Sequence, residues 1–207
     1  RARSSSAIQI PVHVRSVSEF ASNEQFRLLL LGAYFGLALM MVLYNLALCH
    51  ALREPAYPAY VAFVGLFGLF HFCLNGFAYQ YLYPDSPHLG NMGGYLFLGP
   101  AVAAAAQFAR AFLGSRELMP RLDRIVRALI VPLVAVSPAA LLFDAQWVAM
   151  LSQALALAGC VLGLTMGILA WRLGYTPARW YVLAFVTVIL TGVAMVLRNF
   201  GVLALSP

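Results

Sequence analysis

Long apolar runs separated by short polar breaks dominate the chain. The first run, Leu28 to His50, reads LLLLGAYFGLALMMVLYNLALCH and holds no acidic or basic side chain before His50. At 1.5 Å per residue such a helix crosses a hydrocarbon core of about 30 Å. Five further runs follow, over residues 58–79, 89–112, 125–143, 147–171 and 180–197. Pro100 is expected to interrupt the third, and Pro132 and Pro138 the fourth. After Arg198-Asn199-Phe200-Gly201 the chain turns apolar again, as if a seventh helix were starting.

Residues 1–21 differ in kind. Ala7-Ile8-Gln9-Ile10-Pro11-Val12-His13-Val14 alternates strictly, the period of a half-buried strand, and Pro11 suits an edge. One strand does not stand alone, so its partners are expected upstream. Ser16 to Ala21 reads as a linker. Ser22 and Gln25 have capping-box spacing, which predicts the start of the first helix, with its membrane part from about residue 26. The expected fold is an all-α integral membrane helical bundle over 22–207. It has six complete spans of seven, preceded by one β-strand remnant of an extracytoplasmic β-rich domain in 1–21.

Composition agrees. Hydrophobic residues make up 63% of 207 positions and charged residues 10%. A soluble domain carries about a quarter charged residues. The net charge of +6 comes from Arg alone, and the absence of Lys excludes a retinal Schiff base or a phosphate-binding P-loop. Cys49, Cys73 and Cys160 are isolated within apolar runs and read as buried small hydrophobes. The basic balance reflects topology and not nucleic-acid binding. Loops after the first, third and fifth runs hold Arg53, then Arg110, Arg116, Arg121, Arg124 and Arg127, then Arg172 and Arg179. The other side holds Arg15, Arg27 and Arg198 near the membrane. The Arg-rich side is therefore expected to be cytoplasmic and the N-terminus extracytoplasmic. Trp147, Trp171 and Trp180 fit interfacial belts.

Two sets of residues stand out within the runs. His71, Asn75, Tyr79 and Gln80 at the outer end of the second run, with Arg198 and Asn199 after the sixth, form a candidate outer polar cluster. It reads either as an outward pocket or docking surface, or as ordinary interhelical hydrogen bonds and snorkelling side chains. His50 lies about 20 Å deeper than His71, too far to share a metal. Gly32 and Gly36, and Gly159, Gly163 and Gly167, recur at four-residue spacing and are candidate helix-packing positions, leaving a homodimer seam open. The loop 114–127 is expected to enforce topology, with anionic lipid binding as the alternative. No GxSxG, HExxH, paired intramembrane Asp or phosphate loop occurs, so neither enzyme chemistry nor a cofactor is expected. The prolines do not recur at corresponding places in two halves, which weakens a transporter or channel reading.

A series of markers in order gives a more specific likeness. They are Leu43-Tyr44-Asn45; Asn75-Gly76 with Tyr79-Gln80-Tyr81-Leu82 and Pro84; Arg110 with Phe112-Leu113; Leu118 with Pro120-Arg121-Leu122-Asp123; Gly174-Tyr175 with Pro177-Ala178-Arg179; and Arg198-Asn199-Phe200-Gly201. From about Phe20 onward the chain resembles the bacterial seven-transmembrane receptors with diverse intracellular signalling modules. The resemblance implies an inner-membrane, multi-pass receptor. Its partners would be the bilayer, an extracytoplasmic β-rich sensor thought to bind carbohydrate-like ligands, and a cytoplasmic histidine kinase, diguanylate cyclase or phosphatase. It implies no catalytic residue inside the bundle.

Overall fold

The structure, a computed structural model, describes residues 17–142 and 145–187. Among the described residues all regular structure is helical. In chain order the elements are α1 (Val17–Leu52), α2 (Ala56–Leu74), α3 (Phe77–Tyr81), α4 (Pro87–Phe112), α5 (Ser115–Leu118), α6 (Pro120–Leu142) and α7 (Ala145–Arg172). A further helix, α8, covers 178–187. Among the described residues four segments are long and apolar enough to cross a membrane: Ala21–Leu52, Ala56–Leu74, Met92–Phe112 and Trp147–Arg172. α6 is 23 residues long but begins with Arg121, Asp123, Arg124 and Arg127.

Several boundaries differ from the sequence reading. α1 already runs at Val17, so the expected linker over 17–21 is helical and Ser22 lies inside the helix, not at its cap. Good helix formers continue through this stretch, and Glu24 and Arg27 pair across one turn at 2.6 Å. The second run divides. α2 ends at Leu74, Asn75 follows, and Gly76 takes a left-handed φ of +79° before α3. That backbone favours glycine, and it re-aims the chain at the end of α2. The prolines do not break their helices: α4 continues through Pro100, and α6 through Pro132 and Pro138. Each proline removes one backbone bond, a loss that packing within a bundle tolerates. The Ala7–Val14 strand lies outside the described residues, as does the sixth run beyond Thr187.

α4 is the hub, touching α2, α3, α5, α6 and α7, whereas among α1–α7 the helix α1 packs on α2 and reaches α3 through the Phe35–Phe77 ring contact. The α2–α4 and α4–α6 pairs are antiparallel. Tyr60 meets Phe108 at one end of α2 and Leu74 approaches Gly94 at the other. α4 and α7 run parallel, with Met92 clustered on Val148 near their starts and Val102 against Gly159 further along. In lipid, close packing and not burial from water holds helices together, so glycines at the crossings matter. A Cβ at Gly99 would collide with the Leu133 carbonyl oxygen and come within 2.9 Å of Ser137 Oγ, so α4 and α6 cross there backbone to backbone. A Cβ at Gly90 would lie 2.8 Å from the Tyr79 ring, and one at Gly93 would strike the Tyr83 hydroxyl.

The predicted stripe on α7 packs. A Cβ at Gly159 would lie 2.8 Å from Val102, at Gly163 3.2 Å from Phe185 and Tyr181, and at Gly167 2.7 Å from Tyr181. The stripe on α1 behaves differently: no atom among the described residues lies within 4 Å of a Cβ at Gly32 or Gly36. The best-buried apolar cluster sits at the Arg-rich end, where Leu113, Met119, Val126, Met166, Ala170 and Ala178 meet.

Candidate functional site

The densest polar constellation also lies at the Arg-rich end. Gly114, left-handed at φ +58°, turns the chain out of α4 and sets Ser115 at the start of α5. Met119 then leads into α6, whose first turn carries Asp123. The Asp123 side chain is 4% exposed. Arg110, in the last turn of α4, grips it with two prongs: Nε donates to Oδ1 at 2.8 Å and Nη2 to Oδ2 at 3.1 Å. Ser115, fully buried, donates from Oγ to Oδ1 at 2.7 Å. Arg127, one turn along α6, donates from Nη2 to Oδ2 at 2.9 Å. Each carboxylate oxygen thus accepts two hydrogen bonds, which answers most of the desolvation cost of a buried charge. Gln107 Oε1 accepts from Arg110 Nη1 at 2.6 Å and fixes the guanidinium plane.

The paired Arg110 guanidinium holds the Asp123 carboxyl at about 2, well below its ordinary range; burial opposes this, and Ser115 and Arg127 reinforce it. The group is an anion at any physiological pH. Its chemistry is structural clamping and not proton transfer. A second tie closes the same end: Tyr175, ahead of α8, donates its hydroxyl to the Phe112 carbonyl at 3.1 Å. Phe112 stacks on Phe108 and on Tyr181. The clamp therefore joins α4, α5 and α6, and the Tyr175 tie adds the α7–α8 connection.

The candidate residues at the outer end are engaged separately. His71 sits among the rings of Tyr34, Phe67 and Phe70, with centroids 5.4, 4.7 and 5.5 Å away. Asn75 donates its amide to the His71 carbonyl at 2.9 Å, which caps α2. Tyr79 packs against Gly90 of α4, and Gln80 is exposed on α3. Arg198 and Asn199 lie outside the described residues. A contact unforeseen in sequence joins α2 to the α3–α4 loop: Cys73 Sγ and Tyr83 Oη lie 3.7 Å apart. Burial first, and then this contact, push the Tyr83 hydroxyl up to about 12. Among the described residues no three His, Cys, Asp or Glu side chains converge to hold a metal.

The Arg110–Asp123 clamp also escaped the sequence reading, which assigned 114–127 to topology. Thirteen residues across two turns leave no periodic signal. The available hint was that Arg110 and Pro120–Asp123 both stand among the ordered markers quoted above.

Apolar spans around a charged, clamped loop define a polytopic helical membrane protein. A family described as seven-transmembrane, diverse intracellular signalling matches residues 27–207, and the chain belongs to that family. It is accordingly a transmembrane sensory or signalling module. No curated protein and no solved structure matches it significantly.

Proposed function

We propose that the chain is the membrane relay of a bacterial inner-membrane receptor. It passes an extracytoplasmic signal to a cytoplasmic histidine kinase, diguanylate cyclase or phosphatase. In this reading Ala7–Val14 is the last strand of a β-rich sensor, the N-terminus is extracytoplasmic, and six complete helices precede a seventh. The family match over 27–207 carries the proposal. The unequal attachment of the helices supports it. α1, which follows the sensor, rests on α2 and the Phe77 ring of α3 among α1–α7, while the remaining helices cohere around α4. A displacement of α1 then breaks the fewest contacts, and a ligand shifts the relay only by binding one arrangement more tightly than the other. The outer residues His71, Asn75, Tyr79, Gln80, Arg198 and Asn199 would couple sensor to bundle, and Gly32 and Gly36 would face the seventh helix or a second copy.

The test uses the full-length protein in vesicles, with output activity as the readout. Replacing both Gly32 and Gly36 by Leu should change basal output at least about fivefold while insertion stays normal. Unchanged output refutes the relay role of α1. Solute flux through proteoliposomes, with output indifferent to these variants, would establish the transporter or channel alternative. Alkaline phosphatase fused ahead of Val17 should be active, and fused within 114–119 inactive; the reverse pattern overturns the orientation.

A further inference from the structure

Where α1 ends, α2 begins and α4 ends, the helices border an open cavity of about 390 Å³. Three candidate membrane spans terminate around it, so it opens at the boundary between hydrocarbon and water. Its walls are aromatic: Tyr57, Tyr60, Phe108, Phe112 and Tyr175 all line it, each half-buried. Tyr60 and Phe108 meet edge to face at 5.3 Å, and the Tyr175–Phe112 hydrogen bond fixes the far wall. One acid, Glu54, completes the lining and pairs with no Lys, Arg or His among the described residues. Asn45 lines the opposite side, its amide nitrogen committed to the Met41 carbonyl at 2.9 Å.

Aromatic faces carry negative potential, and a group of them beside a carboxylate is a receptor for an organic cation. The cavity contains no positive side chain of its own. The residue just before Glu54 is Arg53, which holds a left-handed backbone, φ +55°, that a non-glycine residue rarely adopts. Arg53 and Glu54 are both exposed and consecutive, so a cation and an anion stand in the same short connection beside the aromatic cavity. That order of charges complements a zwitterion whose ammonium enters the cavity and whose phosphate stays outside.

We infer that the cavity formed by Tyr57, Tyr60, Phe108, Phe112 and Tyr175 with Glu54 binds the ammonium headgroup of a phospholipid of the ethanolamine class, with Arg53 facing its phosphate. The inference needs only the membrane setting and is independent of the receptor reading. Occupancy would brace α1 and α2 against the last turn of α4, the turn that also carries Arg110.

The full chain, purified in detergent with equimolar phosphatidylethanolamine and phosphatidylglycerol of identical acyl chains, is examined by native mass spectrometry. The ethanolamine lipid should be retained at least about fivefold over the glycerol lipid. Glu54→Gln, an exposed and conservative change, should bring the ratio near one, and Tyr60→Leu should lower it. Arg53→Gly should lower retention of both lipids together. Circular dichroism confirms that each variant keeps its helices. Equal retention of the two lipids by the parent protein, or a preference that survives Glu54→Gln, overturns the assignment. Occupancy by free phosphoethanolamine as strong as by the lipid, at equal concentration, overturns the lipid source in favour of a soluble amine.

Discussion

Removing the Asp123 carboxylate tests whether the Arg-rich end is held by its clamp. Asp123→Asn keeps the shape and deletes the charge. In the folded chain the carboxyl lies at about 2 against an ordinary 3.8, which corresponds to roughly 2 kcal/mol of stability at neutral pH. Truncating one partner of a buried pair costs about 3–5 kcal/mol where both charges are enclosed. Arg110 is 13% exposed and reaches water at the helix end, so the lower part of that range applies. Arg127 is 60% exposed and adds about 0.5 kcal/mol or less. The expected loss for Asp123→Asn is about 2–3 kcal/mol, read by reversible unfolding in mixed micelles. Alanine at 110 and 123, singly and together, should show a coupling above about 1 kcal/mol. In the alanine variant at 123 hydrogen exchange should rise around α5, whose Ser115 is left with only the Arg110 carbonyl at 3.3 Å as acceptor. The depressed carboxyl also fixes a pH window. Its contribution is complete above the unfolded value near 3.8 and disappears as pH falls through about 2. The clamp is refuted if Asp123→Asn costs under about 0.5 kcal/mol, or if Arg127→Ala costs as much as Arg110→Ala.

Two comparisons extend the test to packing. Gly99→Ala drives a methyl into the Leu133 carbonyl and should cost at least about 1–3 kcal/mol in the same unfolding assay, whereas Gly36→Ala meets no atom of the described residues and should cost under about 1 kcal/mol. A large loss at Gly36 would place a partner against that face of α1 beyond the described residues. Tyr175→Phe should cost about 1 kcal/mol by leaving the Phe112 carbonyl without its donor; no change would mean that this tie contributes nothing to the end of the bundle.

Several elements were legible in the sequence. The cores of the spans over 28–50, 89–112 and 147–171, and the part of 58–79 up to Leu74, followed from run length and hydropathy, because a backbone in lipid must satisfy its hydrogen bonds within the helix. The glycine stripe of α7 was found by its spacing, and the family by its ordered markers. The identical spacing at Gly32 and Gly36 marks a face of α1 that meets no atom of the described residues, since a four-residue period defines a face of a helix without saying what lies opposite. Helix ends were misread for a related reason. Ser22 has cap chemistry, but the helix formers around it extend α1 past it. Pro100, Pro132 and Pro138 have breaker chemistry, but each costs only one backbone bond inside a packed bundle.

The sequence by itself determined that this is a multi-span membrane protein, which described segments are long and apolar enough to cross a membrane, and that Arg residues gather at one end. Those properties are sums over local composition and need no knowledge of neighbours. Only the tertiary structure decided that α4 is the hub, that Gly99 carries a backbone contact, and that Arg110 reaches across a turn to Asp123. These depend on how helices rotate and cross, and rotation about a helix axis is set by the partner it packs against.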